Sequence, residues 1–111
     1  MHMIIINNWR VLYVGETKFF AALEVFNHRY IERGPIITSN IVEGNLCEGG
    51  VVRTKSGSTY MLGVPLPENE NCEFVRYLLI ERVSRAFHSQ GKPLRLEDME
   101  VLNGIIDTII A

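Results

Sequence analysis

The amino-acid sequence predicts an α+β fold. A small antiparallel sheet, curled or barrel-like, occupies residues 3–63, and two helices follow at about residues 70–89 and 96–110. In the first half, β-branched and aromatic residues lie between short turns, which is typical of strands. After residues 65–67, apolar residues recur at three- and four-residue spacing, which is typical of amphipathic helices. Because 111 residues suit one domain, we predict a single domain over residues 1–111.

Composition and charge exclude several classes of protein. Hydrophobic residues make up 47% and charged residues 22% of the chain, the balance of a globular rather than a disordered protein. The net charge of −2 lacks the basic excess that phosphate binding requires, which argues against a nucleic-acid partner. No apolar run approaches the roughly 18 residues of a membrane span, and no signal sequence is recognisable. We therefore expect a cytoplasmic protein without a membrane segment.

The β half predicts several short strands. Composition predicts extended strands at residues 3–6, 9–14 and 36–42. A loop is predicted at residues 43–50, which contain three glycines and no periodicity. Residues 19–26 are ambiguous, because two alanines and a leucine suit a helix whereas three phenylalanines and a valine suit a strand. We favour a strand, since eight residues are few for a helix and the neighbouring segments are β-like.

A β-hairpin is the clearest local pattern. Residues 51–54 and 59–62 read as strands on either side of a four-residue loop with a central glycine. This loop length sets the predicted pairing of the two strands, and a slip of one residue would exchange their two faces. The predicted register places Thr54 opposite Thr59, Arg53 opposite Tyr60 and Val52 opposite Met61.

The first predicted helix covers about residues 70–89. Asn69 or Asn71 can cap its N-terminus, and Gly91 suits the position that follows a helix C-terminus. Its apolar stripe consists of Val75, Leu79, Val83 and Ala86, widened by Phe74, Leu78 and Phe87.

The second predicted helix covers residues 96–110. Glu97, Asp98 and Glu100 lie in its first turns, where the helix dipole favours acids. Gly104 costs about 1 kcal/mol relative to alanine inside a helix, so it suggests close packing against another backbone. The apolar side of this helix needs a cover, and we predict self-association through it. The predicted self-association residues are Met99, Leu102, Ile105, Ile106, Ile109 and Ile110.

No catalytic or metal-binding motif is present. Cys47, Cys72, His28 and His88 lack zinc-site spacing, so we predict free thiols and no metal. The glycine-containing loops match no phosphate-binding fingerprint, and no Gly-x-Ser-x-Gly segment appears. The sequence therefore predicts no cofactor and no catalytic residues, and it favours a binding protein over an enzyme.

The hairpin carries a resemblance to a known group of proteins. Residues 37–41, followed by the segment Val-Arg-Thr-Lys-Ser-Gly-Ser-Thr-Tyr-Met-Leu-Gly at 52–63, resemble short uncharacterised bacterial, phage and mobile-element proteins. These share a β-element that ends in a Thr-x-Ser-Gly-x-x-Tyr-x-Leu-Gly hairpin, and the similar region here is about residues 36–63. The resemblance implies an accessory protein of a prophage, plasmid or gene cassette, and it implies no reaction.

Together these observations predict a non-catalytic module that binds another protein and forms a homodimer or similar oligomer. Two alternatives stay open at this point. One is a phage-type inhibitor of a host defence or regulatory complex. The other is a small-ligand-binding protein or enzyme with a pocket between sheet and helices. The residues predicted to line such a pocket are Trp9, Tyr13, Tyr60 and Phe87.

Overall fold

The computed structural model describes residues 3–31 and 33–110, and it confirms the α+β fold. A five-stranded sheet closes into a ring and is followed by two helices. The first compact unit extends to Glu70 and the second begins at Asn71, so the single domain stays a prediction. The strands are β1 (Ile4–Val14), β2 (Thr17–Phe26), β3 (Ile36–Gly44), β4 (Val51–Thr54) and β5 (Thr59–Leu62), and the helices are α1 (Phe74–Ser89) and α2 (Leu96–Ile110).

Consecutive strands of the closed sheet pair antiparallel. Because five strands alternate in direction, the first and the fifth run the same way. β1 and β5 therefore close the ring as a parallel pair, with Ile4 opposite Tyr60 and Ile6 opposite Leu62. These paired side chains all point into the interior, where they are buried.

β1 is one strand of 11 residues rather than the two predicted strands. Asn7 and Asn8 suggested a break, and Asn8 does adopt a left-handed backbone with φ of 54°. The strand continues because both asparagines bond to Val64: the Asn8 N–H donates to its carbonyl at 2.6 Å, and Asn7 Oδ1 accepts from its N–H at 2.9 Å. These bonds satisfy the polar groups that would otherwise favour a turn.

The predicted strand at residues 19–26 is confirmed as the main part of β2. Phe19, Phe20, Ala21 and Ala22 are all buried, although alternate residues of a strand point to opposite faces. β2 is therefore covered on both faces at this point. A strand buried on both faces has no apolar–polar alternation, which is why its sequence alone also suited a helix.

The predicted register of the β4–β5 hairpin is wrong by one residue. Val52 lies opposite Tyr60, and Arg53 lies opposite Thr59. The Thr54 N–H donates to the Ser58 carbonyl at 3.1 Å, so the loop has three residues rather than four. Gly57, with φ of 92°, makes this shorter loop possible, because a left-handed residue commonly ends a three-residue hairpin loop.

The slip exchanges the faces of the hairpin, as expected from the two-residue period of a strand. Tyr60 and Val52 point into the interior together and are buried. Arg53 points outward, where its Nε lies 2.8 Å from Glu43 Oε1, and both side chains are largely exposed.

The interior of the closed sheet is a continuous apolar core. Trp9 and Phe20 meet edge to face with their ring centroids 5.7 Å apart, and Trp9 Nε1 donates to the Gly63 carbonyl at 2.9 Å. Such an arrangement satisfies the one polar atom of the tryptophan. The core consists of Ile4, Ile6, Trp9, Phe20, Ala22, Val25, Ile36, Val52, Tyr60 and Leu62.

α1 begins at Phe74, four residues after the predicted start. Asn71 Oδ1 accepts a hydrogen bond from the Glu73 N–H at 3.1 Å, which forms a local turn of the kind that asparagine favours. This turn precedes the helix, and the structure shows no side-chain cap at Glu73 itself. Asn71 thus supports the entry to α1 without being its N-cap.

The predicted end of α1 is confirmed. Gly91 has φ of 73°, the left-handed conformation that commonly follows a helix. Its N–H donates to the His88 carbonyl at 2.9 Å, and the Lys92 N–H donates to the Phe87 carbonyl at 3.0 Å. These two bonds form a Schellman motif, which satisfies carbonyls that the helix leaves without a partner.

α2 covers residues 96–110, as predicted. Asp98 Oδ2 accepts a hydrogen bond from the Arg95 N–H at 3.1 Å, and the Met99 N–H donates to the Arg95 carbonyl at 3.0 Å. The first bond is one half of a capping box, which fixes the start of the helix. Asp98 thus has a structural role besides its favourable interaction with the helix dipole.

Candidate functional site

The most notable surface of the second unit is the apolar side of α2. Among the eight large apolar side chains of this helix, only Ile106 is fully buried. Val101 is 65% exposed and Ile105 is 50% exposed. Leu102 and Ile109 are half-buried beside them. α2 therefore presents more apolar surface than the chain itself covers.

The structure distributes the predicted self-association residues between interior and surface. Ile106 is completely buried, so it belongs to the interior of the chain and not to a surface available for binding. Ile105 is exposed. Val101 was not among the predicted residues, although its four-residue spacing from Ile105 places both on one side of the helix. The remaining predicted residues, Met99, Leu102, Ile109 and Ile110, are half-buried.

Gly104 lies between Val101 and Ile105 in the middle of α2 and is exposed. A Cβ atom added there would meet nothing within 4 Å. No close packing inside the described part of the chain therefore explains this glycine, although it weakens the helix by about 1 kcal/mol relative to alanine. We define the α2 surface as Val101, Gly104, Ile105 and Thr108.

Arg76 fixes which side of α2 faces α1. Its Nη1 donates to Asn103 Oδ1 at 2.7 Å, and its Nη2 donates to Asp107 Oδ1 at 2.5 Å. Its Nε donates to Glu73 Oε1 at 2.5 Å. The bonds to the Glu73 and Asp107 carboxylates raise the pKa of Arg76, so this guanidinium stays charged at every pH at which the protein is folded.

The α2 surface points away from this contact. Successive residues of a helix are rotated by about 100°, so Val101 and Ile105 each lie about 160° around the axis from Asn103. Because Asn103 contacts α1 through Arg76, the α2 surface lies on nearly the opposite side of the helix. It is thus oriented outward by the same hydrogen bonds that join the two helices.

The charges around α2 are unevenly distributed. The helix contains no lysine, arginine or histidine, and its last turn has no basic residue. Two exposed basic residues, Lys92 and Arg95, immediately precede it. Basic side chains are favourable near a helix C-terminus, so the end of α2 lacks the charge that would complement it. The acids of α2 are Glu97, Asp98, Glu100 and Asp107.

The residues predicted to line a ligand pocket occupy different environments. Trp9 and Tyr60 are both buried in the core of the closed sheet. Tyr13 is 58% exposed near the end of β1, and Phe87 is half-buried on α1 in the second unit. Burial raises the pKa of the Tyr60 phenol, and a hydrogen bond with Ser58 partly opposes this shift. The pocket itself stays a prediction.

A group of hydroxyl side chains joins the hairpin loop to β3. Ser39 Oγ donates to Ser56 Oγ at 3.1 Å and accepts from the Ser56 N–H at 3.1 Å. Ser56 Oγ also lies 3.2 Å from Thr54 Oγ1 and donates to Ser58 Oγ at 3.4 Å. A serine nucleophile needs a base within hydrogen-bonding reach, whereas these bonds join hydroxyls to one another and to a backbone N–H. The group holds the loop against the strand.

The four side chains considered as zinc ligands have separate surroundings, and His88 is exposed in the last turn of α1. Cys47 is exposed and Cys72 is buried, and neither of the two forms a disulfide. His28 Nδ1 accepts from the N–H groups of Tyr30 and Ile31, at 3.1 and 3.2 Å, and so stabilises its own loop. Within residues 3–31 and 33–110, no group of three or more potential ligands could hold a metal ion.

Neither helix in the described part of the chain has both the length and the hydropathy that a bilayer-spanning segment requires. Comparison with protein-family models, curated proteins and solved structures gives no match.

Proposed function

We propose that this protein is a non-catalytic binding module that associates with protein through the α2 surface, and that it self-associates. The observation that carries the proposal is that α2 leaves Val101 and Ile105 largely exposed while it buries only Ile106. Exposed apolar surface is unfavourable in water, so a helix that is apolar over about half its circumference favours burial of that whole side. The chain covers one part, and a binding partner covers the other.

The exposed side chains form a continuous strip rather than scattered positions. Single exposed apolar residues are ordinary on protein surfaces and need no explanation. Val101 and Ile105 are neighbours on one side of the helix, and the half-buried Leu102 and Ile109 continue the strip toward the interior. A strip with this spacing is the usual means by which a helix docks onto another protein.

The chemistry of the side chains supports binding over catalysis. The serine and threonine hydroxyls at the hairpin hydrogen-bond to one another, and Trp9 and Tyr60 are packed into the core. An inhibitor of a host complex would use the same α2 surface with a different partner. The accessory role in a mobile element is supported by the hairpin resemblance, and the genes that neighbour this one test it.

Sedimentation velocity over a range of protein concentrations tests the proposal. We expect the wild-type chain to form a larger species as concentration rises, and Val101→Ser/Ile105→Ser to stay monomeric because serine removes the apolar strip. The matched control is Val42→Ser/Val64→Ser, which changes two valines that are 52% and 57% exposed in the first unit. The control should associate like the wild type.

A wild-type chain that stays monomeric at the highest attainable concentration would refute self-association. Equal association of the wild type and the Val101→Ser/Ile105→Ser variant would show that another surface is responsible. Far-UV circular dichroism of each variant establishes that the helices are retained.

A further inference from the structure

We infer that the free edge of β1 at residues 11–14 binds an extended segment of another protein, which joins the sheet as an antiparallel strand with a small residue level with Leu12. The site lies within the first unit and does not use the α2 surface, so the inference goes beyond the proposed function. It rests on the direction of the backbone groups of β1, on the place where the neighbouring segment ends, and on the burial of Leu12.

The backbone groups of β1 alternate in direction along the strand. Val14 and Thr17 pair on either side of a two-residue loop, and Gly15, the first residue of that loop, has φ of 61°, which is typical of a tight hairpin turn. The pair that flanks such a loop is hydrogen-bonded, so every second residue before Val14 also bonds to β2. The N–H and C=O groups of Val11 and Tyr13 therefore point away from β2, toward the other edge of β1.

The segment that follows β5 covers only the first part of this edge. It runs beside β1, where the Leu66 N–H donates to the Trp9 carbonyl at 2.8 Å. This carbonyl points to the same edge as Val11 and Tyr13, as the alternation requires. The chain then turns at Pro67. Among the residues that the structure describes, none bonds to the outward groups of Val11 and Tyr13.

The edge at residues 11–14 lacks the features that usually protect a strand edge. Proteins protect such edges with charged residues, prolines or β-bulges. The sequence here is Val-Leu-Tyr-Val, and its pairing with β2 is regular. Tyr13 is 58% exposed and Val14 is 48% exposed. A second strand supplies backbone donors and acceptors at the spacing of these groups, so the edge is suited to an extended segment.

The position of Leu66 favours an antiparallel direction for the added strand. Pro65 lies level with Trp9, so Leu66 occupies the position level with Arg10 on this edge. A parallel strand would need that position to accept a hydrogen bond from the Val11 N–H. An antiparallel strand forms complete hydrogen-bonded pairs at residues 11 and 13 and leaves Leu66 in place.

The burial of Leu12 argues against a second copy of this chain as the occupant. Leu12 is 5% exposed, and its side chain lies on the opposite face from those of Val11 and Tyr13. A second copy that paired its Tyr13 with Val11 would place its own Leu12 level with this one. The groups that cover the two leucines would then compete for the same space. A single extended segment brings no such cover.

The two faces of the edge also define the side chains of the segment. The residue level with Leu12 shares the covered face, so it must be small. The residues level with Val11 and Tyr13 lie on the other face, where Tyr13 is exposed. A β-branched residue opposite a tyrosine is a favourable cross-strand pair. The expected segment therefore alternates β-branched, small and β-branched residues.

Amide hydrogen exchange measured by NMR tests whether the edge is free. The N–H groups of Val11 and Tyr13 should exchange faster than those of Arg10 and Leu12, because the latter two bond to β2. Equally slow exchange at all four residues would show that the edge is already covered, and it would overturn the inference.

A tethered peptide tests binding at the edge. The probe is Cys-Gly-Gly-Thr-Val-Ala-Val-amide, joined by a disulfide to Glu16→Cys in the exposed hairpin loop. The background is Cys47→Ser, which removes the exposed thiol. The short linker holds the peptide at about millimolar effective concentration, so weak pairing is measurable. We expect exchange at Val11 and Tyr13 to slow at least about tenfold, because the peptide adds hydrogen bonds to both residues.

Backbone methylation of the peptide provides the matched controls. In the antiparallel pair, the last valine lies level with Val11 and its N–H points to β1. Methylation of this nitrogen should abolish the slower exchange, because it removes a hydrogen bond and holds the two strands apart. Methylation of the alanine nitrogen should leave the slower exchange intact, since that N–H points away from β1. Phenylalanine in place of the alanine should abolish binding, because the face at Leu12 is covered.

The outcomes distinguish this inference from the proposed function. Unchanged exchange with the unmodified peptide would overturn the inference, and so would sensitivity to methylation at the alanine alone, which indicates a parallel strand. Without peptide, exchange at Val11 and Tyr13 that slows as protein concentration rises would identify a second copy as the occupant and also overturn it. The peptide should have the same effect in Val101→Ser/Ile105→Ser, so the inference can hold even where self-association through α2 fails.

Discussion

Tyr60, in the interior of the closed sheet, is expected to make the stability of the chain depend on pH. Its phenol is buried, and burial raises its pKa above the ordinary value of 10.0. The unfolded chain therefore loses this proton at a lower pH than the folded chain does. The contribution to stability is complete below about pH 10 and is lost as the pH rises toward the folded-state pKa, because only the unfolded state gains the ionised form.

We expect wild-type stability to fall as the pH rises above about 10, by up to about 1.4 kcal/mol per pH unit, the limit for one proton. Tyr60→Phe should remove the part of this fall in the free energy of unfolding that Tyr60 causes. Tyr77→Phe, at a tyrosine exposed on α1, should show the same fall as the wild type. Urea unfolding followed by circular dichroism at a series of alkaline pH values measures both. If the free energy of unfolding falls with pH equally in the wild type and in Tyr60→Phe, the Tyr60 phenol has the same pKa in the folded and unfolded states.

At the scale of one element, the β4–β5 hairpin depends on its register. Val52 is buried in the core, whereas its neighbour Val51 is 45% exposed on the opposite face. Val52→Ala should therefore cost about 2 kcal/mol of the free energy of unfolding, because it leaves a cavity in a packed core. Val51→Ala should change it by no more than about 0.5 kcal/mol. Chemical denaturation of the two variants compares adjacent positions, and equal losses would contradict the observed register.

The hairpin also shows what the sequence could not specify. Its two strands were predictable from composition, but the pairing depended on whether residue 58 belongs to the loop or to the strand. The left-handed conformation of Gly57 decides this, and a glycine is compatible with both loop lengths. β2 was ambiguous for a related reason, since its burial on both faces is a tertiary effect that removes the local pattern.

α2 was predictable to its ends because its periodicity, its acidic first turns and its length all indicate a helix. The sequence did not predict which apolar residues of α2 are buried within the chain and which are exposed. The apolar periodicity does not distinguish Ile105 from Ile106, although Ile106 is buried and Ile105 is exposed. The exposed Ile105 lies on the side of α2 away from Asn103, whose contact with Arg76 joins α2 to α1. Such a long-range contact has no local pattern in the sequence.

At the scale of the whole molecule, self-association would connect binding with stability. The α2 surface exists only in the folded chain, so a partner that covers it favours folding by mass action. The free energy of unfolding should increase with protein concentration, by about 2.7 kcal/mol when the free chain is at 100 times its dissociation constant. The melting temperature of the wild type should therefore rise on concentration.

Differential scanning calorimetry over a hundredfold range of concentration measures this effect. Val101→Ser/Ile105→Ser should melt at one temperature throughout, because it lacks the apolar strip and folds as a single chain. Val42→Ser/Val64→Ser should retain the concentration dependence of the wild type, since its substitutions lie in the first unit. A concentration-independent melting temperature for all three proteins would mean that association, if it occurs, is not coupled to folding of the helices. The exposed isoleucine and valine of α2 would then need no second chain to complete the fold.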